Sequence, residues 1–119
     1  MATFKPFRAL RPKPEYARDV ASRPYDVLNT QEARQEAEGN KYSFLRVIKP
    51  ELELPDDIDP YGANVYEQGV KNLNYLRSEQ IIEKDATPSF YIYRLTMDGR
   101  EQTGIVGCCH YQEYCNFIL

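Results

Sequence analysis

Ser89-Phe-Tyr-Ile-Tyr-Arg-Leu-Thr-Met-Asp-Gly-Arg-Glu-Gln-Thr-Gly-Ile-Val-Gly-Cys-Cys109 is the stretch that decides the fold class. Residues 89–96 and 101–109 each alternate apolar and polar side chains, the period of a strand. Between them Asp98-Gly99 supplies the residue pair that a two-residue turn with positive φ at both central positions favours. The stretch predicts an antiparallel β-hairpin. Tyr91 and Tyr93 fall opposite Phe90 and Ile92, so one set is expected in the core and the other half exposed.

Working backwards, Tyr66, Val70, Leu73 and Leu76 recur at the spacing that buries one helical stripe, which predicts a helix over residues 63–79. Gly69 inside it weakens the helix or admits a second backbone at close range. Ile81 and Ile82 are expected to pack just past its end. Asn29 with Glu32 three residues on forms a capping-box pattern, Ala33 and Ala37 share a face, and Gly39 supplies a left-handed stop. A helix over residues 30–38 follows. Ser43-Phe-Leu-Arg-Val-Ile48 is a short apolar run rich in strand formers and closed by Pro50, and it predicts a strand.

Nearer the N-terminus, Phe4 to Leu10 predicts a short edge strand, since Pro6 cannot donate to a ladder. Arg11-Pro-Lys-Pro14 is expected to be a linker, and Glu15 to Ala21 one or two helical turns. Glu51 to Pro60 carries several carboxylates but lacks the spacing and central glycine of a calcium loop, so it is expected to be solvated. The result is one α+β domain over residues 1–119, with a small mixed or antiparallel sheet, two main helices and the C-terminal hairpin.

With 119 residues, 42% of them hydrophobic and ten tyrosines among the aromatics, the chain can bury a modest core. No apolar run approaches the ~20 residues of a membrane span. Met1 to Arg8 lacks a signal peptide's apolar core, and a cytoplasmic location is expected. Cys108, Cys109 and Cys115 are an odd, clustered set, read as reduced thiols. Successive strand residues point to opposite faces, so Cys108 and Cys109 cannot readily chelate one ion, and no metal site is expected. His110 is the only histidine. Within residues 1–23 six basic side chains meet two acidic ones, a net of +4 that leaves −7 for the remainder. Such an arm can meet phosphates. The sequence pI of about 5.2 nonetheless argues against general nucleic-acid binding.

Ser22-Arg23-Pro24-Tyr25-Asp26-Val27 concentrates a hydroxyl, a guanidinium, a phenol and a carboxylate around one proline. Pro24 fixes its own φ and pushes Arg23 towards an extended conformation, so the elbow has a defined shape. It can present Ser22, Arg23, Tyr25 and Asp26 to a ligand. It can equally be a turn in which Asp26 or Asn29 caps the next helix and Tyr25 fills the core. Arg46, inside the apolar run, either snorkels to the surface or contacts a ligand. The chain ends Phe117-Ile-Leu119, apolar residues that need a covering surface or a place on the core.

Five pieces carry a family resemblance: Phe4-Lys-Pro-Phe-Arg-Ala-Leu-Arg-Pro12; Ser22 to Val27; Tyr42-Ser-Phe-Leu-Arg-Val-Ile-Lys-Pro-Glu51; Asp59-Pro-Tyr61; and Phe90 to Thr96 continuing through Gly99-Arg100 to Gly107. In this order they resemble the N-terminal third of the bacterial and archaeal family catalogued as domain of unknown function 1015. That family is similar to the ParB/sulfiredoxin-like superfamily. The resemblance implies a nucleotide-dependent enzyme using ATP or ADP with Mg²⁺, a phosphotransferase acting on serine or phosphoserine. Ser22, Arg23, Tyr25, Arg46 and Arg94 would then contact the ligand, and Asp26 would position the attacking hydroxyl. Two departures stand out. The family's His-Glu-x-Thr-Arg stretch does not follow Tyr114, which implies an incomplete domain lacking the C-terminal part of its family and inactive alone. Gln80 stands where the family favours glycine, a strained left-handed cap. The other readings are a non-enzymatic ParB-like binding or regulatory module, and an inactive truncated product.

Overall fold

The computed structural model describes residues 2–116. Among them the chain is α+β, with helices and two small antiparallel two-stranded sheets. It divides into two compact units: an inserted unit, Arg11–Glu83, and a unit built from the segments on either side of it. Strands β1 (Leu10–Pro12) and β2 (Ile82–Lys84) pair where the chain enters and leaves the inserted unit. The expected linker at residues 11–14 is therefore partly strand. The amide of Lys13 donates to the Ile81 carbonyl, which gives the backbone of this segment an obligatory partner.

The inserted unit is helical. A 3-10 turn at Pro14–Tyr16 leads into α1 (Ala17–Val20), and a second at Tyr25–Val27 precedes α2 (Thr30–Ala37). Helix α2 opens with the full capping box: Asn29 Oδ1 accepts from the Glu32 amide at 2.8 Å, and Glu32 Oε2 accepts from the Asn29 amide at 3.3 Å. Gly39 follows with φ +71°.

The expected strand at residues 43–48 is instead a helix, α3 (Leu45–Ile48). The amides of Ile48 and Lys49 donate back to the carbonyls of Phe44 and Leu45. Ser43 Oγ accepts from the Leu45 amide at 3.3 Å, which satisfies a donor at the helix start. Periodicity cannot separate a short buried helix from a buried strand. Tertiary packing decides here: Leu45 is fully enclosed in a cluster with Leu28, Ala33, Ala37 and Leu52, the last from the 3-10 turn Pro50–Glu53. Glu51 to Glu53 thus belong to structure and not to a free acidic loop.

Helix α4 (Ala63–Ser78) buries Val65, Gly69 and Leu76; of the expected stripe Leu76 is buried and Leu73 packs against the core, but Tyr66 and Val70 do not. Tyr66 and Val70 are 62% and 59% exposed. The reason is Gly69. A Cβ there would lie 3.2 Å from the Val47 carbonyl oxygen and 3.4 Å from Pro50 Cγ, so the bare α-carbon lets α3 and the following turn pack against this face. A second core joins Leu76, Ile81 and Ile82 to Val20, with Tyr16 and Tyr42 edge-to-face beside it at 5.5 Å.

In the other unit, strands β3 (Tyr91–Met97) and β4 (Arg100–Val106) form the expected hairpin, in register from Tyr91↔Val106 to Met97↔Arg100. Asp98 and Gly99 have φ of 52° and 76°, the signs a type I′ turn requires. Residues 4–10 do not form the expected edge strand; single bridges join Lys5 to Cys108 and Phe7 to Ser89, with Pro6 between them. Phe4 stacks on Phe90 at 5.3 Å. Tyr91 Oη accepts from the Ala9 amide and lies 2.5 Å from Asp85 Oδ2, pinning the hairpin base. Beyond that base the ladder is exposed on both faces; Tyr91 alone of β3 is half-buried, and the paired Ile92 and Ile105 are 75% and 69% exposed. Helix α5 is Tyr111–Cys115. The expectation concerning Phe117 to Leu119 lies outside the described residues. Among the described residues no helix is long and apolar enough to cross a membrane.

Candidate functional site

The proline elbow follows α1. Ala21 and Pro24 both adopt extended backbone, and Tyr25–Val27 then turns tightly to deliver Leu28 into the core. This leaves Arg23, Tyr25, Asp26 and Val27 exposed and Ser22 half-buried. Tyr25 does not fill the core. Arg23 donates from Nε (2.8 Å) and from its terminal nitrogen (2.5 Å) to Glu36 Oε2 on α2. That contact holds the Glu36 carboxyl below the usual carboxylate range and raises Arg23. Asp26 makes no side-chain hydrogen bond or ion pair among the described residues.

Arg46 sits on α3 and not on a strand. Its guanidinium donates to the carbonyls of Asn40 (3.1 Å) and Ala37 (2.8 Å) and pairs with Glu53 at 2.5 Å. Glu53 also accepts from Gln68 and Asn72 on α4. Arg46 thus adds charged donors to two carbonyls at and just past the end of α2 and ties three elements together. Arg94 lies on the exposed hairpin opposite Thr103.

Beside the elbow, within the inserted unit, a groove of about 780 Å³ runs between α3, the Pro50 turn and α4. Tyr25, Tyr61 and Tyr66 line it over a floor that includes Ile48, Gly69 and Leu73. The three phenols are 59%, 81% and 62% exposed. Lys49 and Glu51 also line it. Their head groups are 3.5 Å apart, with side chains 13% and 18% exposed. Of the sequence-predicted residues only Tyr25 lines this groove; Ser22, Arg23, Asp26 and Arg46 do not. Sequence reasoning missed Lys49, Glu51, Tyr61 and Tyr66 as site residues. A signal for three of them existed, because Lys49-Pro-Glu51 and Tyr61 close two of the stretches that carry the family resemblance.

The Cys108–His110 segment lies in the other unit, beside a separate cavity of about 470 Å³. His110 Nδ1 accepts from the Gln112 amide and starts α5. Glu113 accepts from the Thr3 amide at 2.9 Å, and this hydrogen bond holds its carboxyl below the ordinary range. Among the described residues no set of three or more histidine, cysteine, aspartate or glutamate side chains is placed to hold a metal ion.

A family model described as a protein of unknown function, DUF1015, matches residues 4–118. No curated protein matches the chain. No solved structure matches it either. Since the match takes in nearly the whole chain, the protein belongs to the DUF1015 family of proteins of unknown function.

Proposed function

We propose that this protein serves a nucleotide-dependent reaction of the ParB/sulfiredoxin-like kind, a phosphoryl transfer between a nucleotide and the serine hydroxyl with phosphoserine as the phosphorylated partner, and that the groove of the inserted unit holds the nucleotide base. One observation carries the reading. Three stretches distant in sequence, Tyr25 in the elbow, Lys49 to Glu51 after α3 and Pro60-Tyr61 before α4, line one groove. Its volume of about 780 Å³ suits a ligand of nucleoside size. Three exposed tyrosine rings give a base π-faces to stack on, each worth roughly 1–3 kcal/mol.

The groove suits the base of ATP or ADP better than its phosphates, because its one lysine already faces a glutamate. Mg²⁺ is ordinarily carried by phosphate oxygens and water with few protein carboxylates. In this reading Asp26 accepts the hydroxyl proton of the phosphate acceptor, and Arg23 meets phosphate once it leaves Glu36.

A second reading, a non-enzymatic ParB-like binding or regulatory module, is favoured by the internal ion pairs of Arg23 and Arg46, the charges that would otherwise hold phosphate. Calorimetric titration of the 119-residue chain with ATP and with ADP, each with and without serine, separates the two. The enzyme reading expects binding that Tyr66→Ala weakens by about tenfold. Absence of binding in every combination removes it. DNA binding that falls steeply with salt supports the module instead.

A further inference from the structure

We infer that Lys49 and Glu51 together read the hydrogen-bonding edge of the base, so that the groove selects a nucleobase carrying a donor beside an acceptor. The inference rests on the proposal that this groove takes a nucleotide, and it adds the rule by which the base is chosen.

The 3.5 Å between Lys49 Nζ and Glu51 Oε1 is longer than the roughly 2.7–2.9 Å of a charge-assisted hydrogen bond. Among the described residues neither head group has any other hydrogen-bond partner. Both side chains are nevertheless mostly withdrawn from solvent, at 13% and 18% exposure. Two largely desolvated charges that face each other without a tight hydrogen bond keep unused capacity: ammonium donors on one side, carboxylate lone pairs on the other. Backbone geometry holds them in place. The Lys49 amide closes α3 by donating back to the Leu45 carbonyl, and the Leu54 amide donates to the Glu51 carbonyl.

The same groove presents three tyrosine rings. A saturated zwitterion would use the two charges and leave the rings idle. A flat heterocycle uses both. Stacked on a tyrosine, it turns its edge to the pair, accepts from Lys49 at a ring nitrogen or carbonyl and donates to Glu51 from the neighbouring amino or ring N–H. The pair is net neutral, so it gives no purchase to a phosphate at that end of the groove.

The test is calorimetry on the full chain with adenosine, guanosine and purine riboside, the last lacking the exocyclic donor. The tighter of adenosine and guanosine should bind about 10–100 times more tightly than purine riboside. In the double variant Lys49→Met/Glu51→Met, which removes both charges and keeps the rings, that preference should shrink to within about threefold. If that variant fails to fold, Glu51→Gln should lower the preference at least fivefold, roughly the loss of one charge-assisted hydrogen bond. Equal binding of all three nucleosides by the unaltered chain, or an unchanged preference in the variants, overturns the inference and leaves the nucleotide groove standing. Failure of every nucleoside and nucleotide to bind overturns both.

Discussion

The amide of Ile81 donates to the carbonyl of Leu76 across 2.9 Å, while both side chains are buried in one cluster. With Gln80 bonded back to Arg77 at 3.1 Å, this is the Schellman closure of α4, and it puts Gln80 at φ 57°. A Cβ in that conformation costs about 1 kcal/mol, which glycine avoids. Gln80→Gly should stabilise the inserted unit by about 0.5–1 kcal/mol, seen as a Tm increase of a few degrees in calorimetry. An unchanged or lower Tm would contradict this account of the cap.

Gly69 sets the rotation of α4. Gly69→Val should cost about 1–3 kcal/mol, because its side chain must displace the Val47 carbonyl and the Pro50 ring. Urea denaturation measures it. A mere helix-propensity effect would give the opposite sign, since valine forms helix better than glycine.

Arg46 is assigned to structure. Arg46→Met should cost about 2–3 kcal/mol, because it leaves Glu53 without its cation and removes the donors to Ala37 and Asn40. Ligand affinity at the groove should stay unaltered in the folded fraction, because Arg46 does not line it.

The Arg23–Glu36 pair predicts an acid response. The folded Glu36 carboxyl is held below its ordinary value by the Arg23 hydrogen bond. Its contribution to stability is therefore present above the unfolded carboxylate value, near 4.3, and is lost as pH falls through the lower folded value. Arg23→Gln should flatten the acid limb of the stability curve. The difference should fade in high salt, because Arg23 is exposed.

Much was legible where the determinants are local. Asp98-Gly99 dictated a hairpin because both turn residues need positive φ, and Asn29 with Glu32 dictated the start of α2 because their side chains satisfy the first helical amides. Gln80 was recognisable as a strained cap for the same reason. Ser43 to Ile48 reads as strand because Phe44, Val47 and Ile48 favour strands locally, yet it is helical. Only the neighbours of Leu45 show that this side chain is enclosed within a helical cluster, where a short helix satisfies its own backbone.

The candidate site was legible only at Tyr25. Tyr66 and Val70 read as core by spacing, yet they are exposed, because a single α-carbon at Gly69 turns α4 away from them. From sequence alone come the class of fold, the hairpin turn, the helix caps and the family, since each depends on residues a few positions apart or on ordered motifs. Tertiary structure alone decided that α3 is helical, that Arg23 and Arg46 pair with glutamates, and that Tyr25, Lys49, Glu51 and Tyr61 share one groove. Those outcomes depend on which surfaces exclude water together, and spacing along a chain does not contain that information.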